Sequence, residues 1–288
     1  MNVIVVGVDG SKHGAAALQW AFREASLRSC DLTATMTWDY LHQVGADGSS
    51  LFDPDYDEAA AQEVLDGVVV SVLGEAAAGS VRRHVVLDRP VRGLLEDSSQ
   101  ASLLVLGARG LGGFKGLLLG SVSQRCLREA TTSVAIIRAI ARTTTDHSRI
   151  VVGVDGSLHA DAALRWAARE AELRGAALRI VHASQPTYTD LPLLDSMSVG
   201  EWAHQQATEV IDDAIARAGI EASTPMQRVC ATGSPARALL DACDDSDLLV
   251  VGRAGLGGLR RLIGSAAVQL SHHSPVPVVF VSADDAHD

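Results

Sequence analysis

The chain has 288 residues, a length that suits two domains of average size rather than one. Apolar residues make up 47 %, enough for sizeable cores, and the formal net charge of −11 argues against a nucleic-acid binder with its basic face. A small anion can still be held, because backbone N–H groups capture phosphate locally.

In chain order, an apolar and β-branched run at residues 3–8 predicts a buried strand. The loop Asp9-Gly10-Ser11 caps a helix whose apolar stripe is Leu18, Ala21, Phe22 and Ala25. A strand follows at residues 32–38, then a polar loop and a longer helix at about residues 54–78. Residues 81–87 read as a strand, and Pro90 opens a short helix at its first turn. The fully apolar strand at 103–106 runs into a glycine-rich loop, a helix at 121–129 and a last strand at 134–137.

The second half repeats the first. Residues 4–28 and 150–174 are identical at 19 of 25 positions, an agreement too dense for chance, with an offset of 146. Trp20 matches Trp166, and Arg23-Glu24-Ala25 matches Arg169-Glu170-Ala171. A second block, from Leu106-Gly107 and Val251-Gly252 onwards, agrees near offset 145. The expected domains are residues 1–140 and 148–283, joined by a Thr-rich, charged link. Strands of repeat 2 are expected at 150–154, 177–183, 226–230, 248–251 and 276–281, with Pro277 inside the last. Strands and helices alternate and the strands are uninterrupted apolar runs. The fold class is therefore α/β, two tandem domains each with a doubly wound parallel sheet.

Open sheets of this class bind ligands at the carboxyl ends of strands, where the strand order reverses. Two loops carry suitable chemistry. One is Asp9-Gly10-Ser11, and the other runs from Gly107 through Arg109, Gly110, Gly112, Gly113 and Gly116 to Gly120-Ser121. Glycines permit positive φ and close approach of a ligand, and a helix starting at Ser121 offers free N–H groups to phosphate. The alternative is a tight strand-to-helix turn with Ser121 as a plain N-cap. Five glycines in ten residues, in a glycine-rich pattern that recurs in repeat 2, exceed what a turn needs. The chain has no G-x-x-x-x-G-K-[ST] motif and no G-x-G-x-x-G after the first strand.

At these residues the chain resembles the universal stress protein family in its tandem form. The ATP-binding branch of that family carries G-x2-G-x9-G-[ST], which Gly107, Gly110, Gly120 and Ser121 match in full. The Val-Asp-Gly-Ser start and the run Gly120-Ser121-Val122-Ser123 are also similar. The resemblance implies strand order 3-2-1-4-5, of the adenine nucleotide alpha-hydrolase-like kind, with Asp9 and Gly107 in one crevice. It implies that Val8, Asp9 and Thr37 lie at the nucleoside end, Thr37 through its backbone. Leu106, Gly107 and Gly110 would line the ribose and phosphates, and Gly120, Ser121, Val122 and Ser123 would hold phosphate. Apart from the resemblance, Arg109 stands in the loop where it can reach phosphate; repeat 2 has Ala254 there, with Arg253 adjacent. In repeat 2 the matching positions are Val154, Asp155, Ala183, Gly252, Gly255, Gly264 and Ser265, but only eight residues separate Gly255 from Gly264. That missing residue is expected to shift the loop against its helix and weaken binding. The resemblance further implies ATP, with Mg²⁺ as its companion ion, and a homodimer of two-domain chains.

Several residues tempt. His13 and His159 recur in the first helical turn and read as exposed helix residues, with a phosphate-facing role as the alternative. His272-His273 reads as helix capping, and the acidic stretch 53–58 as a solvated loop. Cys30, Cys126, Cys230 and Cys243 have no metal spacing and read as incidental thiols of a reducing cytosol. The start of the chain has too short an apolar run for a signal peptide, and no run approaches a membrane span. The expectation is a cytoplasmic protein that contacts neither membrane nor nucleic acid. Its leading function is a nucleotide-dependent stress or regulatory sensor. The alternatives are a weak ATPase or phosphate-transfer enzyme, for which no base or nucleophile stands out, and an ATP-independent interaction module.

Overall fold

A computed structural model describes residues 3–39, 43–44, 50–51, 53, 55–111, 118–138, 149–184, 199–221, 224–255 and 264–283. The expected link at 139–148, Pro54, and the centres of the two glycine loops (112–117 and 256–263) lie outside the described residues. The chain divides into two compact units, Met1–Ala141 and Arg142–Asp288.

In the first unit, β1 (Val3–Gly7), α1 (Lys12–Arg28) and β2 (Asp31–Trp38) are followed by a small antiparallel pair, β3 (Gln43–Val44) and β4 (Ser50–Leu51). Then come α2 (Glu58–Leu73), α3 (Glu75–Ala78), β5 (Arg82–Leu87) and α4 (Pro90–Asp97). The unit closes with β6 (Leu103–Gly107), α5 (Ser121–Glu129) and β7 (Val134–Ile137). Its strands pair in parallel in the order β5-β2-β1-β6-β7, which in strand count is 3-2-1-4-5. The second unit repeats the plan with β8 (Arg149–Gly153), α6 (Leu158–Arg174), β9 (Ala177–Ser184), α7 (Val199–Ala218), β10 (Met226–Thr232), α8 (Pro235–Asp241), β11 (Leu248–Gly252), α9 (Ser265–His273) and β12 (Val278–Val281). Its order, β10-β9-β8-β11-β12, is again parallel throughout and again 3-2-1-4-5.

The apolar runs are buried on both faces, as a helix-covered parallel sheet requires: Ile4, Val5 and Val6 are all within 2 % of full burial. Ser11 caps α1 by accepting from the Gly14 amide at 3.0 Å, and Ser157 caps α6 from the Ala160 amide at 3.2 Å. Both helices stop at a left-handed residue, Ser29 (φ 50°) in one unit and Gly175 (φ 61°) in the other. The core face of α1 is Gly14, Ala17, Leu18, Ala21 and Ala25, while Phe22 is only half-buried.

Three expectations need correction. The long helix of repeat 1 starts only after its Asp57 cap and breaks into α2 and α3 at Gly74, whose φ is 80°. The acidic stretch before it is not wholly solvated: Tyr56 is buried edge-on against Trp38, ring centroids 5.5 Å apart. Pro277 lies before β12 rather than inside it. It has no N–H to donate, and its carbonyl accepts from the Leu249 amide at 3.0 Å, so it leads the strand into register.

Candidate functional site

In each unit the order reverses between the first and fourth strands, so the loops after β1 and β6 rise side by side. In the first unit these loops are buttoned together at every second residue. The Leu111 amide donates to Asp9 Oδ2 at 3.1 Å, and the Ser11 hydroxyl donates to the Arg109 carbonyl at 3.2 Å. Arg109 Nε–H donates to His13 Nε2 at 3.2 Å. Asp9 also accepts from the Ser11 amide through Oδ1, at 3.0 Å, in a turn that Gly10 makes with φ 74°. The carboxylate is thus fixed by two backbone amides and still has lone pairs for a further donor.

The glycines act differently from expectation. Positive φ occurs at Gly10 and Gly156, in the first loop of each unit, and not at Gly107, Gly110 or Gly120. Gly107 is required because α1 crosses it: a Cβ there would lie 2.6 Å from the His13 carbonyl carbon. Gly252 stands in the same relation to His159, at 2.7 Å. A Cβ on Gly110 would collide with the Asp9 carboxylate, and one on Gly255 would come 2.6 Å from Asp155 Oδ2. Gly120 has φ −74°, and its Cβ would meet nothing nearer than 3.5 Å. Helix packing and carboxylate approach therefore explain the first two glycines of the motif, and neither explains the third.

Gly120 is the N-cap residue of α5, and its carbonyl accepts the first helical bond from the Gln124 amide at 2.9 Å. The amides of Ser121, Val122 and Ser123 precede that bond and have no partner inside the helix. Ser121 is therefore the first helical residue rather than the cap, with an exposed side chain. Ser123 is buried, and its hydroxyl donates to the Gly107 carbonyl at 2.7 Å. A hydroxyl has one proton to give, so only the Ser123 backbone amide is left to face an anion.

Val8 and Leu106 are buried, at 4 % and 3 % exposure, so they offer backbone and a floor rather than reactive groups. The Val8 amide donates to the Thr35 carbonyl at 2.9 Å, which is the last tie of β1 to β2. Backbone direction alternates along a strand, so the N–H and C=O of Thr37 point to the same side as those of Thr35. They face the crevice beyond the end of β1.

The second unit keeps the frame. The Gly264 amide donates to the Arg253 carbonyl (3.2 Å) as the Gly120 amide does to the Ala108 carbonyl (2.7 Å). The shorter loop of repeat 2 thus leaves the helix start in the same bond, and the expected shift is absent at the described ends. Asp155 Oδ1 accepts from the Ser157 amide at 3.0 Å, matching Asp9. A cleft of about 480 Å³ opens here, within the range of small-molecule sites. Its walls include Val154, Val181, Ala183, Leu239 and Val251, and its polar end is Asp155 with Gly255, Gly264 and Ser265. An apolar floor, one carboxylate and a helix N-terminus together suit a nucleoside with a phosphate. Ala254 stands in this unit at the place of Arg109.

His13 is the residue sequence reasoning undervalued. Its side chain is not a free surface group. Burial, then Arg109 and Arg138, push its pKa below the ordinary value, against a smaller opposing pull from Asp9. Neutral imidazole is the form that can accept from Arg109. Recurrence at His159 was the available signal. Among the described residues no group of three His, Cys, Asp or Glu could hold a metal ion. A magnesium ion entering on a polyphosphate would keep mostly phosphate and water ligands, with Asp9 the nearby carboxylate.

The sequence model of the universal stress protein family matches residues 1–138 and 147–282. A universal stress protein of Mycobacterium tuberculosis is 33 % identical over 293 residues, covering 96 % of this chain and 95 % of its own. The crystal structure of a universal stress protein from Archaeoglobus fulgidus shares the fold, with TM-score 0.72, 22 % identity and 98 % of each chain covered. A second structure from that organism, a universal stress protein in complex with dAMP, aligns to 46 % of this chain and 96 % of its own, with 26 % identity and TM-score 0.34.

Proposed function

This chain belongs to the universal stress protein family, and we propose that it is a nucleotide-dependent stress or regulatory sensor binding adenine nucleotides, with ATP in its first unit. The observation that carries the reading is one of convergence. Around the reversal point of the first sheet stand a carboxylate held by two backbone amides, an open strand edge at Thr37, and three helix-start amides. Asp9 would accept from ribose hydroxyls, and the Thr37 backbone would pair with the edge of the base. The amides of Ser121, Val122 and Ser123, with the Ser121 hydroxyl and Arg109, would hold phosphates. The spacing of Gly107, Gly110, Gly120 and Ser121 resembles the ATP-binding branch and supports ATP over a bare nucleoside.

The cleft of the second unit supports occupancy there too, through Asp155, the Ala183 backbone, Gly252, Gly255, Gly264 and Ser265. Without an arginine at position 254, that site grips phosphate less firmly. A role as a slow ATPase has less support: Asp9 is engaged by amides and His13 by Arg109, and neither is set as a base against a nucleophile. The reading places the protein in the cytoplasm as a homodimer of two-domain chains. No described helix is long and apolar enough to cross a membrane.

Denaturing freshly purified protein and identifying what it releases tests the reading. Intact ATP or another adenine nucleotide is expected. Accumulation of ADP from added ATP within minutes would favour the enzyme, and protein that neither carries nor takes up nucleotide would favour the ATP-independent interaction module.

A further inference from the structure

We propose that His13 is a positioning residue for phosphate recognition, holding the Arg109 guanidinium by its Nε–H so that the terminal N–H groups are presented to the ligand's phosphate chain. The inference rests on the nucleotide reading of this crevice and adds a residue to it.

Arg109 sits over the start of α5, because its Cα would lie 3.5 Å from a Cβ on Gly120. The same residue is tied to the start of α1 twice, by its carbonyl to Ser11 and by its Nε–H to His13. Its side chain therefore spans from one helix N-terminus toward the other. A guanidinium has five N–H donors in a rigid fork. The bond to His13 engages one of them and leaves the other four, on the two terminal nitrogens. Fixing the fork in advance lowers the side-chain entropy lost on binding.

His13 suits this role for two further reasons. Its backbone packs on Gly107 without room for a Cβ, so the ring is anchored at the crevice and not on a mobile surface. Burial and the neighbouring Arg109 and Arg138 favour its neutral, accepting form. The second unit supplies the contrast. His159 keeps the packing on Gly252, while Ala254 stands where the first unit has Arg109. Packing on the glycine is thus common to both units, and Arg109 is particular to the first.

The test uses the full chain and calorimetric titration with ATP and with adenosine, which lacks phosphate. His13→Leu should weaken ATP binding by roughly ten-fold, the scale of one charge-assisted contact. Adenosine binding should stay within about two-fold of wild type, because its contacts lie elsewhere. His13→Gln keeps an acceptor and should restore most of the ATP affinity. The double variant His13→Leu/Arg109→Ala should bind ATP no more weakly than Arg109→Ala alone, since the histidine acts through the arginine. Thermal melts report folding of each variant, and should His13→Leu not fold, the gap between His13→Gln and Arg109→Ala carries the comparison. Additive losses in the double variant would overturn the proposal, as would equal losses for ATP and adenosine. If wild type binds neither ligand, the nucleotide reading fails and the proposal with it. If wild type binds both and His13→Leu changes nothing, this proposal alone fails.

Discussion

Asp9 and Leu111 are 102 positions apart in sequence, yet the Leu111 amide donates to the Asp9 carboxylate at 3.1 Å and joins the two loops of the crevice. A hydrogen bond to a charged group contributes about 1.5–3 kcal/mol. Asp9→Asn keeps one acceptor oxygen and turns an NH2 against one of the two amides. The expected result is faster hydrogen exchange at Leu111 and its neighbours, and a lower melting temperature for the first unit. Exchange measured by mass spectrometry on wild type and variant checks it, and unchanged protection would show that the loop is held by other means.

Gly107→Ala and Gly120→Ala should separate fold from binding. The first puts a methyl 2.6 Å from the α1 backbone, an overpacking that costs about 1–3 kcal/mol and lowers stability with or without ligand. The second meets only contacts of 3.5 Å or more at an ordinary φ. It should leave the melting temperature of the free protein unchanged and weaken nucleotide binding by filling the mouth of the α5 N-terminus. Denaturant unfolding and calorimetric titration of both variants distinguish the two effects.

Ser121→Ala and Ser123→Ala form a similar pair. Ser123→Ala deprives the Gly107 carbonyl of a buried donor, and an unmet buried group costs about 1–3 kcal/mol. Ser121 is exposed, so its loss should appear only in nucleotide affinity. The second unit already has Ala267 at the Ser123 position, which places this tether in the first unit only.

The second unit has its own acid-sensitive tie. Asp245 accepts from Arg179 at 2.7 Å and also pairs with Arg149, and these bonds, Arg179 foremost, bring its pKa from 3.8 down to about 2. A carboxylate depressed in the fold stabilises above its unfolded pKa and loses that contribution as pH falls through the folded one. Asp245→Asn should therefore melt earlier than wild type at pH 7, with the gap closing between about pH 4 and pH 2. Melting curves across that range check it. A gap independent of pH would point to packing rather than charge.

Much of this architecture is legible from the residues. The recurrence of Ile-Val-Val-Gly-Val-Asp-Gly-Ser exposes the tandem plan, and apolar runs buried on both faces announce a parallel sheet. The meeting of the Asp9 and Gly107 loops follows from strand order. What stays hidden depends on contacts between distant residues. Nothing near Gly107 in sequence says that α1 crosses it, and nothing distinguishes Ser121 from Ser123 until one hydroxyl is found on the Gly107 carbonyl. The break at Gly74 is a conformational choice at a residue that helices also tolerate, so periodicity passes over it. The acidic residues around Tyr56 mask an aromatic contact that only Trp38 explains.

The most direct test of the account is calorimetric titration of ATP into the intact wild-type chain and into Asp9→Ala and Asp155→Ala, which remove the carboxylate from one crevice each. The account predicts saturable binding to wild type, with the tighter phase lost in Asp9→Ala and retained in Asp155→Ala. Binding of equal strength in all three proteins, or no binding to wild type, would contradict it.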